Sequence, residues 1–437
     1  MFIQPRLYRG MRDILPEIML PREELLQIVR ETFRRWGFAP LATPAIEFKE
    51  ILQGKYGEEA ERLFYKLEHE KEDLALRYDL TVPLARAAAM YSNDLPTPFK
   101  RYQIQEVWRA ERAQPRQGRF REFLQCDADI IGTDSLVADA EIIALSVGIL
   151  RELGFPNAIT KLNHRQLLRG LMEVAGFPAN AEMDVCRIID KMDKIGEAGV
   201  RKELIEAGFD DGKVDELFSV ILSEDNGGAL LAMVEDKWGH NNRISIGIKD
   251  LREFLALMER FGTPHDSLKI DLALSRGLDY YTGTIFESVV PEQPHIGSLT
   301  GGGRYDDLIG LFSKRDIPAV GITIGLDRIL AALIDAEKIE GKKSPAKVLV
   351  TIFDENMVGK SIELARKLRE QAIPTDIYLE PRKLGQQFAY ADKLGVPFVA
   401  IMGENEVAKG VVSLKDMTSG DQREVAFGEL VETLKSS

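Results

Sequence analysis

Two runs of alternating polar and apolar side chains, joined by a basic segment, constrain the fold of this chain most strongly. The runs lie within Lys100–Gly132, and the segment between them, Arg112–Phe120, contains three arginines. Because successive side chains of a strand point to opposite faces, the pattern predicts a long antiparallel β-hairpin. One face of this hairpin is largely apolar, and the other gathers Arg109, Gln125 and Asp129 around Phe123.

The predicted hairpin is basic within an acidic chain. Residues 100–121 contain seven cations and two anions, whereas the 437-residue chain has a net charge of −13. An acidic total argues against non-specific coating of nucleic acid but leaves room for a local basic site. Guanidinium, aromatic, amide and carboxylate groups on one surface can bind a phosphate, stack a base and orient an ammonium. The residues alone therefore support a nucleotide site, with the solvated outer face of a sheet as the alternative.

The remaining patterns divide the chain into a long first part and a shorter second part. They predict helices over Leu20–Trp36 and Asp134–Glu152, a helical insertion over about 165–260, and strands over Ile270–Leu274, Thr284–Val290 and Pro318–Ile324. Residues 335–346, which are charged and contain glycine and proline, predict a linker. Beyond it, alternating strands and helices predict a small α/β unit over residues 347–437.

The cysteine content and the start of the chain indicate a cellular compartment. Cys126 and Cys186 are the two cysteines, and neither has a Cys or His nearby at metal-binding spacing. This excludes a disulfide scaffold and a zinc cluster, and it favours a reducing environment. The first residues resemble no signal peptide, and no apolar run approaches the ~18 residues of a membrane helix. A cytoplasmic location is therefore predicted.

Several short stretches, in order along the chain, resemble the motifs of class II aminoacyl-tRNA synthetases. The extended piece that ends at Pro44 resembles motif 1, and the hairpin resembles motif 2. Two further stretches are similar to peptides of the histidyl-tRNA synthetases within this class, and the resemblance extends from Arg9 to the final helix. The stretches are Arg109–Arg112 with Gly118–Phe123 (motif 2), Pro318–Gly321 with Gly325–Arg328 (motif 3), and Arg276–Gly283 and Gly302–Asp306 (histidyl peptides).

The resemblance implies an α+β fold and a ligase of protein biosynthesis. A class II antiparallel sheet flanked by helices would occupy residues 1–334, and an anticodon-binding α/β domain would occupy residues 347–437. Histidine would react with ATP, accompanied by Mg²⁺, to give histidyl-adenylate and pyrophosphate. The histidine would then pass to the 3′ end of tRNA(His). A homodimer through the motif 1 region is also implied.

The resemblance also implies roles for individual residues toward ATP. Arg109 would hold the α-phosphate and the substrate carboxylate, and Phe123 would stack on the adenine. Arg276 would supply positive charge to the same groups as the main transition-state residue, with no metal site formed by the protein itself. Glu111 and Arg119 would contact ATP, and Arg328 would reach the far phosphates. From its spacing alone, Arg328 would instead be a helix-start arginine paired with a carboxylate.

The implied histidine site consists of residues from four parts of the chain. Asp79, Thr81 and Gln125 would hold the substrate ammonium. Asp129 and Tyr281 would recognise the imidazole, which can donate to a carboxylate from one nitrogen and bond a hydroxyl with the other. Tyr280 would lie beside them, although the two tyrosines alone would be interpreted as core aromatics. Arg109 and Arg276 would also contact the histidine.

Two other functions remain as alternatives. The first is a synthetase-like regulatory subunit of ATP phosphoribosyltransferase, which commonly lacks the anticodon domain and the ATP-binding arginines. This chain has Arg109, Arg276 and Arg328 and a complete second part, which argues against that function. The second is a class II ligase of another specificity, which the Arg276–Gly283 peptide disfavours.

Overall fold

The structure, a computed structural model, describes residues 2–53, 62–69, 71–223, 227–275, 280–339 and 341–436. Contacts within the chain divide it into two compact units, residues 1–12 with 25–336 and residues 13–24 with 337–437. The domain limits that the sequence suggests, 1–334 and 347–437, stay predictions. Within the described ranges, no helix is both long enough and apolar enough to cross a membrane.

The first unit is built around a mainly antiparallel sheet, as the resemblance implied. Eight strands pair in the order β1-β5-β6-β11-β10-β9-β7-β8, and β2, β4 and β3 form a smaller sheet. All pairs are antiparallel except β1 with β5 and β7 with β8. The strands are β1 (Ala39–Pro40), β2 (Ile46–Phe48), β3 (Lys66–His69), β4 (Glu72–Leu76), β5 (Phe99–Trp108), β6 (Glu122–Ile131), β7 (Ile159–His164), β8 (Leu268–Ile270), β9 (Thr284–Val289), β10 (Thr300–Arg304) and β11 (Ala319–Ile324).

Helices alternate with the strands of this sheet along the chain. The helices between residues 165 and 260 pack around a core of their own. The helices up to residue 336 are α1 (Pro16–Arg35), α2 (Lys49–Gln53), α3 (Thr81–Met90), α4 (Leu136–Glu152), α5 (Arg165–Val174), α6 (Glu182–Ile189), α7 (Met192–Glu206), α8 (Asp211–Ile221), α9 (Gly227–Trp238), α10 (Asn242–Arg260) and α11 (Leu326–Asp335). Each helix from α5 to α10 contributes buried side chains to one cluster, among them Leu167, Val185, Leu204, Leu217, Leu231 and Ile248. The predicted helical insertion is therefore confirmed as helical.

The predicted hairpin consists of β5 and β6, and its register determines which side chains share a face. Gln105 pairs with Gln125, and Arg101 pairs with Asp129. Since directly paired residues of neighbouring strands point to the same side, the pairing can be followed across the sheet. One such row runs through Gln103, Asp127, Thr323, Gly301, Glu287 and Lys161.

The predicted strand over Ile270–Leu274 is wrong beyond its first residue, because β8 ends at Ile270. The Asp271 side chain accepts a hydrogen bond from the Ala273 N–H at 3.0 Å, and the Leu274 N–H bonds to the Asp271 carbonyl. Asp thereby stabilises a turn in place of an extended chain. The apolar side chains of Leu272 and Leu274 suggested a strand, but they are buried in that turn instead.

The second unit contains the predicted α/β pattern. Its sheet has the order β13-β12-β14-β15-β16, with parallel pairs around β12 and an antiparallel hairpin of β15 and β16. The buried Gln387 side chain accepts from the Ile352 N–H and donates to the Ile352 carbonyl, which ties a helix to the end of β12. The strands are β12 (Val348–Val350), β13 (Thr375–Ile377), β14 (Phe398–Ile401), β15 (Val412–Asp416) and β16 (Gln422–Val425), and the helices are α12 (Val358–Glu370), α13 (Leu384–Leu394), α14 (Glu404–Lys409) and α15 (Phe427–Ser436).

Candidate active site

A small cavity of about 20 Å³ lies over the middle of the eight-stranded sheet. Four of the predicted histidine-binding residues line it, namely Thr81, Asp129, Tyr280 and Tyr281. Asp127 also lines it, together with Tyr305 and the glycines of β10 and β11. The structure therefore brings together residues from α3, β6 and the segment before β9, as the resemblance implied.

Glycines on β10 and β11 leave room for the Asp129 carboxylate. A Cβ added at Gly321 would lie 1.9 Å from Asp129 Oδ1, and one added at Gly302 would lie 2.0 Å from the Gly321 carbonyl oxygen. A Cβ at Gly303 would lie 2.7 Å from the Tyr281 ring. Any side chain at these positions would therefore fill the space that the cavity residues occupy.

Asp129 is held by two groups inside the sheet. Arg101 Nη2 lies 2.6 Å from Asp129 Oδ2, and both side chains are almost fully buried. The Tyr305 hydroxyl donates to Asp129 Oδ1. Burial raises the pKa of Asp129, and the charge of Arg101 and the bond from Tyr305 oppose that rise. Oδ1 thus accepts a hydrogen bond, whereas Oδ2 faces Arg101 in an ion pair without a hydrogen bond of good geometry.

Asp79 lies at the start of α3, where its side chain accepts a hydrogen bond from the Val82 N–H at 3.2 Å. Burial raises the pKa of Asp79 to about 6, although the Val82 bond and the charge of Arg109 lower it. The Asp79 carboxylate therefore satisfies a backbone N–H at the start of α3. It also lies near the charged side chains of Arg101 and Asp129.

Arg109 follows the end of β5 and is oriented by three contacts. Its Nε donates to the Tyr78 carbonyl at 2.9 Å, and its Nη2 donates to Gln125 Oε1 at 3.2 Å. The guanidinium carbon lies 5.1 Å from the centre of the Phe123 ring. Arg109, Phe123 and Gln125 are therefore adjacent, as the alternating pattern predicted, although none of them lines either cavity described here.

A second, larger cavity of about 760 Å³ contains two of the predicted ATP-binding residues, Arg119 and Arg328. Arg328 Nη1 donates to the Ser298 carbonyl at 2.7 Å and to its hydroxyl at 3.0 Å. Glu287 lines the same cavity from β9. Glu111, the remaining predicted ATP contact, has an exposed side chain and lines neither cavity.

The predicted main transition-state residue, Arg276, lies outside the described residues. The histidyl peptide that contains it is described from Tyr280 onward. Among the residues that the structure does describe, no group of three or more His, Cys, Asp or Glu side chains is placed to hold a metal ion.

Contacts distant in sequence hold the hairpin loop against the start of α11. Arg12 bonds to the Asp327 carboxylate, and its guanidinium lies 3.6 Å from the centre of the Phe120 ring. Gly118 has a positive φ of 66°, and a Cβ there would lie 2.6 Å from the Asp327 carbonyl oxygen. The loop thus packs directly on the residue before Arg328.

We expect Gly118→Ala to raise the KM for ATP by about ten- to a hundredfold, because displacing this loop moves Arg119 away from Arg328. Steady-state kinetics with saturating histidine measure the effect. Gly410→Ala is the matched control, since Gly410 has a similar φ of 69° and open space around it. Equal KM values for ATP in the two variants would contradict a dependence of ATP binding on the position of this loop.

Some residues of this site were not selected from the sequence. Arg101 and Asp127 have the same parity as Asp129 along the hairpin, so the period of two already placed them on its polar face. Tyr305 lies within the glycine-rich stretch that follows the histidyl peptide. For Arg12, which contacts a residue 315 positions away, the sequence contains no comparable signal.

Comparison with known proteins agrees with the family that the motifs resemble. Residues 10–329 match the histidyl-tRNA synthetase family, and residues 347–437 match the anticodon binding domain family. The histidine–tRNA ligase of Rhodopirellula baltica is 41% identical to this chain, and the alignment covers 100% of this chain and 99% of that protein. This chain belongs to the histidyl-tRNA synthetase family. It is a ligase that joins histidine to tRNA.

Solved structures show the same fold for this histidyl-tRNA synthetase. The histidyl-tRNA synthetase of a Nostoc species is 32% identical, with a TM-score of 0.90 and full coverage of both chains. A Bacillus halodurans protein described as an ATP phosphoribosyltransferase regulatory subunit/histidyl-tRNA synthetase covers 92% of this chain at 22% identity, with a TM-score of 0.74. At that identity the second likeness establishes a shared fold alone.

Proposed function

We propose that this synthetase joins histidine to ATP on the sheet face that β6, β11, β10 and β9 share. The observation on which this depends is the row that runs through Asp127, Thr323, Gly301 and Glu287. This register places the small cavity and the larger cavity on the same face of neighbouring strands. Histidine bound against the residues of the first cavity and ATP bound in the second would therefore lie on one face of the sheet.

Histidine binding is assigned to the small cavity and its border. Asp79, Thr81 and Gln125 hold the substrate ammonium, since a buried carboxylate, a hydroxyl and an amide oxygen accept from a cation. Asp129 and Tyr281 contact the imidazole, with Tyr280 packed beside them. The ring centres of the two tyrosines are 4.7 Å apart, which supports one rigid aromatic wall.

ATP binding is assigned to the polar hairpin face and the larger cavity. Arg109 binds the α-phosphate and the histidine carboxylate, and Phe123 stacks on the adenine. Arg119 and Arg328 bind the far phosphates, and Glu111 contacts ATP from the hairpin loop. Adenylate formation requires alignment and neutralisation of spreading negative charge. Arg276 remains the proposed main source of that charge.

Magnesium is assigned to the phosphates of ATP. Mg²⁺ keeps several waters and commonly uses one or two carboxylates with phosphate oxygens, so a cluster of protein ligands is not required. Glu287, Asp190 and Asp271 line the larger cavity with Arg328, so carboxylates that could serve this purpose lie beside the proposed ATP site. The ion would neutralise charge on the phosphates when it is bound.

Binding of tRNA and formation of a homodimer are also proposed. Residues 347–437 bind the anticodon of tRNA(His), and the hairpin loop over 113–117 contacts its acceptor end. A homodimer forms through the motif 1 region, where Ile46 and Phe48 of β2 have exposed fractions of 48% and 50%. A cytoplasmic location is also proposed, and the buried thiols of Cys126 and Cys186 fit a reducing compartment.

The order of the two steps can be tested by rapid quenching. The chain is mixed with radiolabelled histidine and ATP, and labelled adenylate is measured before and after the addition of tRNA. We expect adenylate to accumulate first and then to disappear as labelled tRNA forms at the same rate. Labelled tRNA that formed without any prior adenylate would contradict the proposed sequence.

A further inference from the structure

The histidyl peptide, residues 276–283, connects two strands that flank β7 on opposite sides. β8 pairs with one edge of β7, and β9 pairs with the other. Ser275 follows the turn after β8, and Gly283 directly precedes β9. Arg165, which comes directly after β7 and begins α5, bonds to both of these residues.

The two bonds of Arg165 differ in what they require. Its backbone N–H donates to the Gly283 carbonyl at 2.8 Å, which continues the pairing of β7 with β9. Its side-chain Nη1 donates to the Ser275 carbonyl at 3.2 Å. Any residue except proline could make the first bond, whereas the second needs a long side chain with a donor. The identity of the side chain therefore matters at the Ser275 end of the peptide.

The helical insertion holds both partners of this second bond. The Arg165 side chain is almost fully buried, with 4% exposed, and its Nη2 lies 2.9 Å from Glu182 Oε1 on α6. The Ser275 hydroxyl donates to the Cys186 carbonyl of the same helix at 2.8 Å. Helix α6 thus orients the guanidinium and also fixes the residue whose carbonyl it contacts.

A purely structural role would be to join α5 to α6 through Glu182. Arg169, one turn further along α5, already does so, because its Nε lies 2.8 Å and 2.9 Å from the two Glu182 oxygens. Burial of a second guanidinium carries a desolvation cost that an ion pair does not reliably recover. The bond that Arg165 adds to this arrangement is the one to the Ser275 carbonyl.

We propose that Arg165 is a positioning residue for adenylate formation, because its guanidinium fixes the start of the peptide that contains Arg276. This inference rests on the role proposed above for Arg276. Arg276 is the next residue after Ser275, so one peptide unit joins the fixed carbonyl to the proposed source of charge. A displacement of about 1 Å at a reacting group can reduce a rate about a hundredfold.

The first test compares Arg165→Met with Arg169→Met, which removes the neighbouring ion pair to the same Glu182. In Arg165→Met, we expect kcat for ATP–pyrophosphate exchange to fall at least about tenfold, with both KM values within about fivefold of wild type. In Arg169→Met, kcat should stay within about twofold of wild type, because the bond to Ser275 is intact. Equal kcat values in the two variants would overturn the proposal.

Ser275→Ala tests the same contact with a smaller change. It removes the bond to the Cys186 carbonyl, which still accepts from the Asp190 N–H at 2.9 Å. We expect its Tm to stay within a few degrees of wild type and its kcat to fall at least about threefold. If Arg165→Met does not fold, this variant decides the matter, and a wild-type kcat in Ser275→Ala would overturn the proposal.

A double-mutant cycle with Arg276→Ala separates positioning from a general loss of structure. If Arg165 acts through Arg276, adding Arg165→Met to Arg276→Ala should lower the rate of adenylate formation by less than about twofold further. Single-turnover measurements with excess enzyme give the rates of these slow variants. Losses that multiply in the double variant would show that Arg165 acts independently of Arg276 and would overturn the proposal.

The failure of this inference differs from the failure of the proposed function. Arg276→Ala that kept wild-type kcat would refute the proposed role of Arg276 itself. Arg276→Ala without exchange, together with Arg165→Met and Ser275→Ala variants that kept wild-type kcat, would refute the role of Arg165 alone.

Discussion

Arg109→Gln is expected to reduce histidine-dependent ATP–pyrophosphate exchange by at least about a hundredfold. The wild-type guanidinium is oriented before substrate binds, because Nε donates to the Tyr78 carbonyl and Nη2 donates to Gln125. A preorganised cation near the reacting groups stabilises charge that develops in the transition state without reorganisation. Glutamine preserves polarity but removes the charge and the forked donors.

The matched control is Arg151→Gln, which makes the same change at an exposed position on α4. This control should keep wild-type exchange, and both variants should keep wild-type Tm within a few degrees. If Arg109→Gln retained exchange within threefold of wild type, the assignment of Arg109 to the reacting groups would be wrong.

Arg101→Met is expected to lower the free energy of unfolding of the first unit by about 3–5 kcal/mol. The Arg101 side chain is fully buried and forms an ion pair with Asp129. Removing one partner leaves the other charge buried without compensation, and that cost exceeds the cost of removing both. Thermal and urea unfolding, followed by a probe in the first unit, measure the loss.

The double variant Arg101→Met, Asp129→Asn provides the decisive comparison for this pair. It removes both charges, so we expect it to recover most of the stability that the single variant loses. Histidine binding should stay weakened in both variants, because Asp129 is a proposed contact of the imidazole and Arg101 orients it. A double variant less stable than Arg101→Met would show that the charges are not coupled.

The hairpin and several residues that line the small cavity could be predicted to a large extent from the sequence. A period of two over β5 and β6 places Phe123, Gln125 and Asp129 on one face whatever surrounds the hairpin, and the register confirms this pairing. The resemblance to class II motifs then added Thr81 and Tyr281, which come from other elements and which no local pattern connects to β6.

Other features depend on contacts that local patterns do not encode. The strand predicted over Ile270–Leu274 failed because Asp271 stabilises a turn while Leu272 stays buried. The bond between Arg12 and Asp327 joins residues 315 positions apart. The ion pair of Arg101 with Asp129 depends on where the Arg101 guanidinium lies, which the shared parity of the hairpin residues does not specify.

ATP–pyrophosphate exchange without tRNA, measured with each of the standard amino acids in turn, tests the central claim most directly. The account predicts exchange with histidine and none above background with the others, because Asp129 and Tyr281 are the proposed contacts of an imidazole. Exchange with another amino acid would contradict the proposed specificity. A folded protein that binds histidine without any exchange would contradict the proposed activation chemistry and favour a regulatory subunit.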